Sequence, residues 1–183
     1  SLTLGVRYDN YSDVGDTFNP RAALVWAVDY NLTAKLLYGR AFRAPSFSEL
    51  FSQNNPSQIG NANLDTEVID VYEMAFDYQF NHRINTQLNL FYYEIDGLVD
   101  FTPSAQGLLA QNALDQEGYG AELAASWTIL ADLYWHGNIS LHRIKNSRTK
   151  LNVADVPTRQ IFSSFVWRPI SQASFSFETK WLS

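Results

Sequence analysis

The sequence predicts an all-β protein, specifically part of an antiparallel transmembrane β-barrel. Two observations predict this fold: apolar and polar side chains alternate along nine segments, and the connections between those segments alternate between short and long. Alternation with a period of two indicates strands rather than helices. Strands of ~9–11 residues, with tight turns on one rim and long loops on the other, are typical of barrels that cross an outer membrane.

The composition supports a lipid-facing surface and argues against several functions. Aromatic residues make up 15% of the chain and charged residues 17%, against roughly 25% charged residues in an average soluble domain. The net charge of −6 argues against nucleic acid as a partner, because binding to a phosphate backbone requires clustered cations. The chain has no cysteine, which excludes disulfides and thiolate metal sites.

The first four predicted strands each separate an apolar face from a more polar one. In 2–8, Leu2, Leu4, Val6 and Tyr8 share one face. Side chains two residues apart point the same way from a strand, so these four residues form a continuous apolar stripe. The other three segments are 21–30, 32–42 and 68–80.

The alternation continues through five further segments, which are 85–95, 119–129, 131–143, 159–168 and 174–182. Only 159–168 is mixed, because Phe162 and Val166 fall on the face opposite Phe165 and Trp167. We therefore expect about nine strands in an antiparallel meander, with charged residues of the polar faces lining the barrel interior. These residues are Arg7, Lys35, Glu73, Asp77, Glu122, Glu178 and Lys180.

The predicted connections define two different rims. The short ones are Asn31, 81–84, Leu130 and 169–173, and the long ones are 9–20, 43–67, 96–118 and 144–158. Successive connections of a meander lie on opposite edges, so all four long connections are expected at one rim. By analogy with outer-membrane barrels, we expect the long connections to be extracellular and the short ones periplasmic.

Aromatic residues are expected to form two girdles at the membrane interfaces. The long-connection rim has Tyr8, Tyr38, Phe42, Tyr72, Tyr92 and Tyr119, and the other rim has Tyr30, Tyr78, Phe80, Trp127, Trp135, Trp167 and Phe175. A soluble, lectin-like β-sandwich is the alternative that the alternation leaves open. It would bury Trp127, Trp135 and Trp167 in a core between two sheets.

Several short motifs resemble those of one family. Residues 39–50 read GRAFRAPSFSEL, which resembles the FRAP box of TonB-dependent outer-membrane receptors. LGVRYD at 4–9 with NPR at 19–21, NANLDTE at 61–67, YE at 72–73, DGLV at 96–99 and GYGAE at 118–122 resemble further landmarks of that family, in the same order. The NANLDTE segment departs from the family pattern at Ala62, where a proline is usual.

The resemblance implies a larger, plugged barrel of 22 strands, of which residues 1–183 are one partial barrel domain. The plug, the segment that contacts TonB and the remaining strands are then expected outside this chain. The resemblance implies outer-membrane lipid as a partner, a Gram-negative outer membrane as the location, and TonB contact only through the missing plug segment. It implies no enzyme activity and no cofactor.

The resemblance also implies a transported ligand. A haem receptor would need a histidine ligand between the two boxes, and residues 46–60 contain none. A ferric siderophore is therefore the expected cargo, with haem, cobalamin or an oligosaccharide as alternatives within the family. A passive or adhesive barrel without energy coupling is the alternative from another class.

Five residues on or near the long connections are candidate ligand contacts, namely Arg40, Arg43, Phe47, Phe51 and Phe101. Guanidinium groups match the anionic oxygens of an iron chelate, and the alternative, which is favoured for Arg43, is pairing with Glu49 or Glu67 to pin the loop. The aromatic residues offer ring contacts, with packing inside the loops as the alternative. His136 and His142 are six residues apart on one strand, or ~20 Å, which is too far for a shared metal ion.

Overall fold

Nine long strands pair in chain order into one antiparallel sheet, which confirms the predicted meander. The computed structural model describes residues 1–12, 14–53, 55, 58–153 and 156–183. The elements are β1 (Leu2–Tyr11), β2 (Gly15–Asp29), β3 (Leu32–Arg43), α1 (Phe47–Phe51), β4 (Gln58–Ile59), β5 (Glu67–Asn81), β6 (Ile84–Ser104), β7 (Gly107–Thr128), β8 (Leu133–Asn146), β9 (Arg159–Ile170) and β10 (Ala173–Leu182). The short β4 lies off the meander and pairs in parallel with β7. In the described part of the chain, no helix is long and apolar enough to span a membrane.

The apolar face of the sheet carries a row of tyrosines near the rim of the long connections. Tyr38, Tyr72, Tyr92 and Tyr119 are directly paired across β3, β5, β6 and β7. The ring centroids of Tyr38 and Tyr72 are 5.0 Å apart, and those of Tyr72 and Tyr92 are 6.2 Å apart. The register therefore assembles these residues of the predicted upper girdle into a continuous belt, and we call them the tyrosine row.

A second aromatic row crosses β7 to β10 on the same face, near the opposite rim. Trp127, Trp135, Phe165 and Phe177 are consecutive cross-strand partners. The Trp135 indole Nε1 donates a 2.9 Å hydrogen bond to Ser163 Oγ, so two polar groups of the apolar face satisfy each other. Tyr119 and Trp127 are eight residues apart on β7, or about 27 Å along the strand, which is comparable to the apolar band of an outer-membrane barrel of ~25 Å.

The polar face is concave, because its side chains line a trough of about 610 Å³ that extends from β3 to β9. Lys35 and Asp77 form a 2.7 Å ion pair on this face. Glu122 accepts a 3.1 Å hydrogen bond from Ser140. These residues lie on the face that the alternation predicted for the barrel interior.

The structure excludes the soluble sandwich. One sheet contains all nine long strands, and no second layer among the described residues covers its apolar face. The side chains of Trp127 and Trp167 are 44% and 47% exposed, where a sandwich would bury them. The buried apolar residues of the described chain are Leu50, Leu64 and Ala110, and all three lie near the long connections.

Two of the predicted long connections are wrong in length. Residues 9–20 are mostly strand, because β1 extends to Tyr11 and β2 begins at Gly15. Residues 96–118 are also strand except for a tight turn, since β6 runs to Ser104 and β7 starts at Gly107. Backbone pairing continues beyond the region where lipid selects apolar side chains, so the hydrophobic alternation ends before the strands do.

The other two long connections contain local structure. Residues 43–67 hold α1 and β4, and 144–158 begins with the end of β8 and a turn in which Lys150 has a φ of 58°. Parts of these predicted connections lie outside the described residues, namely Asp13, Asn54, Pro56, Ser57, Ala154 and Asp155. The four short connections are short in the structure as well.

Candidate functional site

Arg43 lies at the end of β3 and binds two carboxylates. Its Nε donates to Glu67 Oε2 at 2.6 Å, and its Nη2 also bonds Glu67 Oε1. Nη1 and Nη2 donate to the two oxygens of Glu49 at 3.0 and 3.1 Å. The structure thus shows both of the pairings that the sequence suggested, and Arg43 joins the start of β5 to helix α1.

Helix α1 begins with a capping box. Ser46 Oγ accepts from the Glu49 amide, and the Ser46 amide donates to Glu49 Oε2 at 2.6 Å. Such reciprocal bonds satisfy backbone donors that a short helix leaves free. The hydrogen bonds from Arg43, together with those from Ser46, lower the pKa of Glu49 to about 2. Glu49 therefore stays ionised at neutral pH.

The residues that follow β4 form hydrogen bonds with backbone carbonyls at the C-terminal end of α1. The Gly60 amide donates to Ser52 O at 2.9 Å, and the Asn61 amide donates to Glu49 O at 2.8 Å. A Cβ atom on Gly60 would lie 2.7 Å from the Phe51 nitrogen. Only glycine allows this close approach of two backbone segments.

A hairpin formed by the distal parts of β6 and β7 packs against this loop. Leu50, Leu64 and Ala110 form a small buried core, with Val14, Val99 and Phe101 packed against it. We call the assembly of residues 46–53, 58–65 and 96–112 the loop cap. It gives the longest connection a fixed structure above the rim of the sheet.

Asparagine side chains join the two halves of the loop cap. Asn112 accepts from the Asp65 amide at 2.9 Å, and its Nδ2 donates to Asp65 O at 3.0 Å and Gly97 O at 2.6 Å. Asn61 Nδ2 donates to Ala110 O at 3.0 Å. Gly97 has a φ of 68° at an irregularity in the β6–β7 register, a backbone conformation that favours glycine.

Arg40 occupies a different place from Arg43. It is paired across the sheet with Asp70, and its Nη2 and Nε reach the two carboxylate oxygens at 2.7 and 3.0 Å. Tyr38 Oη donates to the same carboxylate at 2.7 Å. Arg40 therefore lies on the same face of the sheet as the tyrosine row, two residues closer to the long-connection rim than Tyr38. It does not lie beside α1.

The three candidate phenylalanines differ in exposure. Phe47 and Phe51 are 79% and 46% exposed, and their ring centroids are 5.3 Å apart. Phe101 instead packs against the core of the loop cap. The structure therefore brings Arg43, Phe47 and Phe51 together around α1, while the Phe101 side chain has a packing role.

The concave trough contains an aromatic pair that was not predicted from the sequence. Phe91 and Tyr93 on β6 have nearly parallel rings, with centroids 6.4 Å apart and an angle of 10°. A Cβ atom on Gly120 of β7 would lie 2.6 Å from the Phe91 ring, and Tyr93 lies against Gly118 in the same way. The two glycines of GYGAE were the available signal, because a strand glycine marks close approach by a neighbour.

The histidines do not assemble a metal site. The imidazole of His142 lines the trough, whereas His136 stacks near Phe162 with centroids 5.4 Å apart. No group of three potential metal ligands occurs among the described residues. The arrangement around α1 offers aromatic contact and a fixed charge network, which suits binding rather than catalysis.

The family comparison covers nearly the whole chain. A family model described as TonB dependent receptor-like, beta-barrel matches residues 1–181. Comparison with curated proteins gives no match.

Solved structures with the same fold include three receptors. The siderophore receptor PirA from Pseudomonas aeruginosa is similar with a TM-score of 0.82 and 21% identity, over 100% of this chain and 34% of that one. The ferric enterobactin receptor PfeA from the same organism, as the R480A mutant in complex with enterobactin, gives 0.84 and 21%, over 100% and 30%. The FrpB iron transporter from Neisseria meningitidis gives 0.75 and 17%, over 100% and 30%. This chain thus spans about a third of the length of these receptors.

Proposed function

The chain belongs to the family of TonB-dependent receptor-like β-barrels, and from that premise we propose that the whole protein takes up a ferric siderophore across an outer membrane. In this proposal the nine long strands are adjacent strands in the wall of a larger barrel, and a plug outside this chain closes the interior. Energy coupling would then depend on TonB contact through the plug. The match of the family model over residues 1–181 is the observation that carries the proposal.

The choice of an iron chelate rests on two further observations. The structures that share the fold include siderophore receptors, one of them bound to enterobactin. The stretch 46–60 between the two boxes has no histidine to ligate haem iron. Both observations favour a siderophore over haem as the cargo.

We propose distinct roles for the residues around α1. Phe47 and Phe51 contact the ligand, because they form an exposed aromatic pair on a helix held in place at both ends. Arg43 is a positioning residue, since its donors are used by Glu49 and Glu67. Arg40 and Phe101 remain predicted contacts whose side chains are already engaged, by Asp70 and by the core of the loop cap.

Binding of a ferric tris-catecholate to the purified whole receptor tests the proposal. Quenching of intrinsic fluorescence reports binding, and the variant Phe47→Ala/Phe51→Ala should bind about tenfold more weakly, because a ring stacked on an aromatic group is worth ~0.5–1.5 kcal/mol. Phe80→Ala is the matched control, since Phe80 is 57% exposed at the opposite rim. Equal binding by the α1 variant and the control would contradict the role of the aromatic pair.

Cargo class requires a separate experiment. A strain that depends on this receptor for iron should grow on the ferric tris-catecholate and fail on haemin. Growth on haemin that is lost in His142→Ala would show that haem is the cargo. Growth on neither, in a protein whose complete sequence has no plug before the barrel, would favour the passive or adhesive barrel.

A further inference from the structure

The tyrosine row ends in a group of cations on the same face of the sheet. Arg143 on β8 is the direct cross-strand partner of Tyr119 and thus occupies the next position of the row. Lys145 Nζ lies 6.0 Å from the centroid of the Tyr119 ring. Arg159 on β9 is the direct cross-strand partner of Leu141. Leu141 precedes Arg143 by two residues on β8, so both lie on the same face of the sheet. We call Arg143, Lys145 and Arg159 the rim cations.

Two of the rim cations, Arg143 and Arg159, line a pocket of about 470 Å³. Its lining includes Tyr119, Leu141, Arg143, Asn152, Thr158 and Arg159, so guanidinium, amide and hydroxyl donors converge on one space. None of the described lining residues is acidic. An anion is the ligand that such a set of donors accepts.

These cations differ from the others near the same rim. Arg7, Arg40, Arg43, Arg148 and Lys150 each form an ion pair with a carboxylate. Among the described residues, no carboxylate forms a salt bridge with Arg143, Lys145 or Arg159. Glu117 faces Lys145 across the sheet, but its carboxylate forms its salt bridge with Lys150. In a chain with a net charge of −6, three neighbouring cations that form no ion pair with a described carboxylate are a local exception.

The surroundings of the pocket identify the source of the anion. Leu141, Ile139 and Ile161 are 48%, 43% and 42% exposed on the same face, below the rim cations. This is the face that the aromatic rows mark as facing lipid, and it is opposite the concave trough. A ligand that meets cations at the level of the tyrosine row and apolar side chains below it has an anionic head and an acyl body.

We propose that the rim cations bind the phosphate of a lipid headgroup in the membrane leaflet next to the long connections. Arg143 and Arg159 hold the phosphate oxygens through their guanidinium groups. Lys145, placed over Tyr119, adds a third positive charge. The site is independent of chelate uptake, because it lies on the outer face of the barrel wall.

The test is a lipid titration of the whole receptor in neutral detergent. Dilauroyl phosphatidic acid is the probe, dilauroyl phosphatidylcholine the comparison, and native mass spectrometry counts the bound lipids. Arg143→Gln/Arg159→Gln should weaken binding of phosphatidic acid by ~tenfold or more, since each cation near a charged headgroup contributes ~1 kcal/mol. Arg143→Lys/Arg159→Lys should retain most of the affinity.

Arg7→Gln/Arg148→Gln is the matched control, because it removes the same charge near the same rim from residues that already have partners. An equal loss in this control would reduce the effect to general electrostatics and overturn the proposal. Unchanged binding in Arg143→Gln/Arg159→Gln, with the native strand signal in circular dichroism, would overturn it as well. Displacement of the lipid by equimolar inorganic phosphate would assign the site to a soluble anion instead.

Discussion

Removal of the Glu67 carboxylate should open the loop cap without unfolding the sheet. Glu67 is 7% exposed and accepts two bonds from Arg43 as well as the Val99 amide at 2.8 Å. Glu67→Ala removes both carboxylate oxygens and with them all three hydrogen bonds. Helix α1 and the hairpin then lose their common attachment to β5.

The magnitude follows from the exposure of each partner. The Arg43 side chain is 48% exposed, so water replaces most of its lost bonds and that part costs ~0–1 kcal/mol. The Val99 amide is left without an acceptor inside the cap, which costs ~1–3 kcal/mol. The local opening free energy should therefore fall by about 2 kcal/mol or more, which corresponds to ~30-fold faster exchange. Glu67→Gln keeps an acceptor for Val99 and should cost about half as much.

Hydrogen exchange followed by mass spectrometry measures the effect. The reporters are the amides of Ser52, Gly60 and Asn61, which donate to backbone carbonyls within the loop cap. Glu178→Gln on β10 removes a charge far from the cap and serves as the control. Unchanged protection of the three reporters in Glu67→Ala would refute the view that Glu67 fastens the cap.

Three further predictions concern the cap, the wall and the topology. Acidification should release the cap, because the lowered pKa of Glu49 contributes stability above pH ~4.5 that is lost as the pH falls towards about 2. Hydrogen exchange of the cap amides between these pH values measures the loss. Constant protection of these amides would contradict the prediction. Gly120→Ala should lower the unfolding temperature of the whole receptor in a heat-dependent gel shift, since the added methyl group would crowd the Phe91 ring at a cost of ~1–3 kcal/mol. Gly39→Ala is the control, because a Cβ atom at Gly39 would meet open space and should leave the unfolding temperature unchanged. Protease added to intact cells should leave the turn at 81–84 uncut, and cleavage there would invert the predicted topology.

The strand meander could be predicted because lipid imposes a simple rule on side chains. A residue that faces the bilayer must be apolar, and every second residue of a strand faces it. The resulting alternation in the sequence predicts the nine strands. The rule does not apply beyond the tyrosine row, and there the predicted ends of the strands were inaccurate. In 96–118 the side chains of β6 and β7 meet water or the loop cap, and nothing in their hydrophobicity reveals that the backbone ladder continues.

The candidate site was only partly predictable for a similar reason. The pairing of Arg43 with Glu49 is local in sequence, since the two residues are six positions apart and Glu49 is held by the capping box with Ser46. The contact between the segment that follows β4 and the hairpin joins residues that are almost fifty positions apart, as in Asn61 with Ala110. Such a contact depends on how two connections fold over one rim, which no local pattern encodes.

The geometry of the loop cap assigns the two family boxes a common structural role. Arg43 and Glu49 come from the first box, and Asn61, Leu64 and Glu67 come from the second. Glu67 and Glu49 share one guanidinium, while Leu64 packs against the helix residue Leu50.

Substituting any residue that is used in this way would loosen the cap itself. In the function that we propose, ligand specificity comes from side chains that the cap presents but does not use. Phe47 and Phe51 meet that condition, since their rings are exposed on a helix whose ends are both fixed. Under that proposal, exchanging these two residues should alter the preferred chelate while preserving the cap, whereas exchanging those of the capping network should loosen the cap.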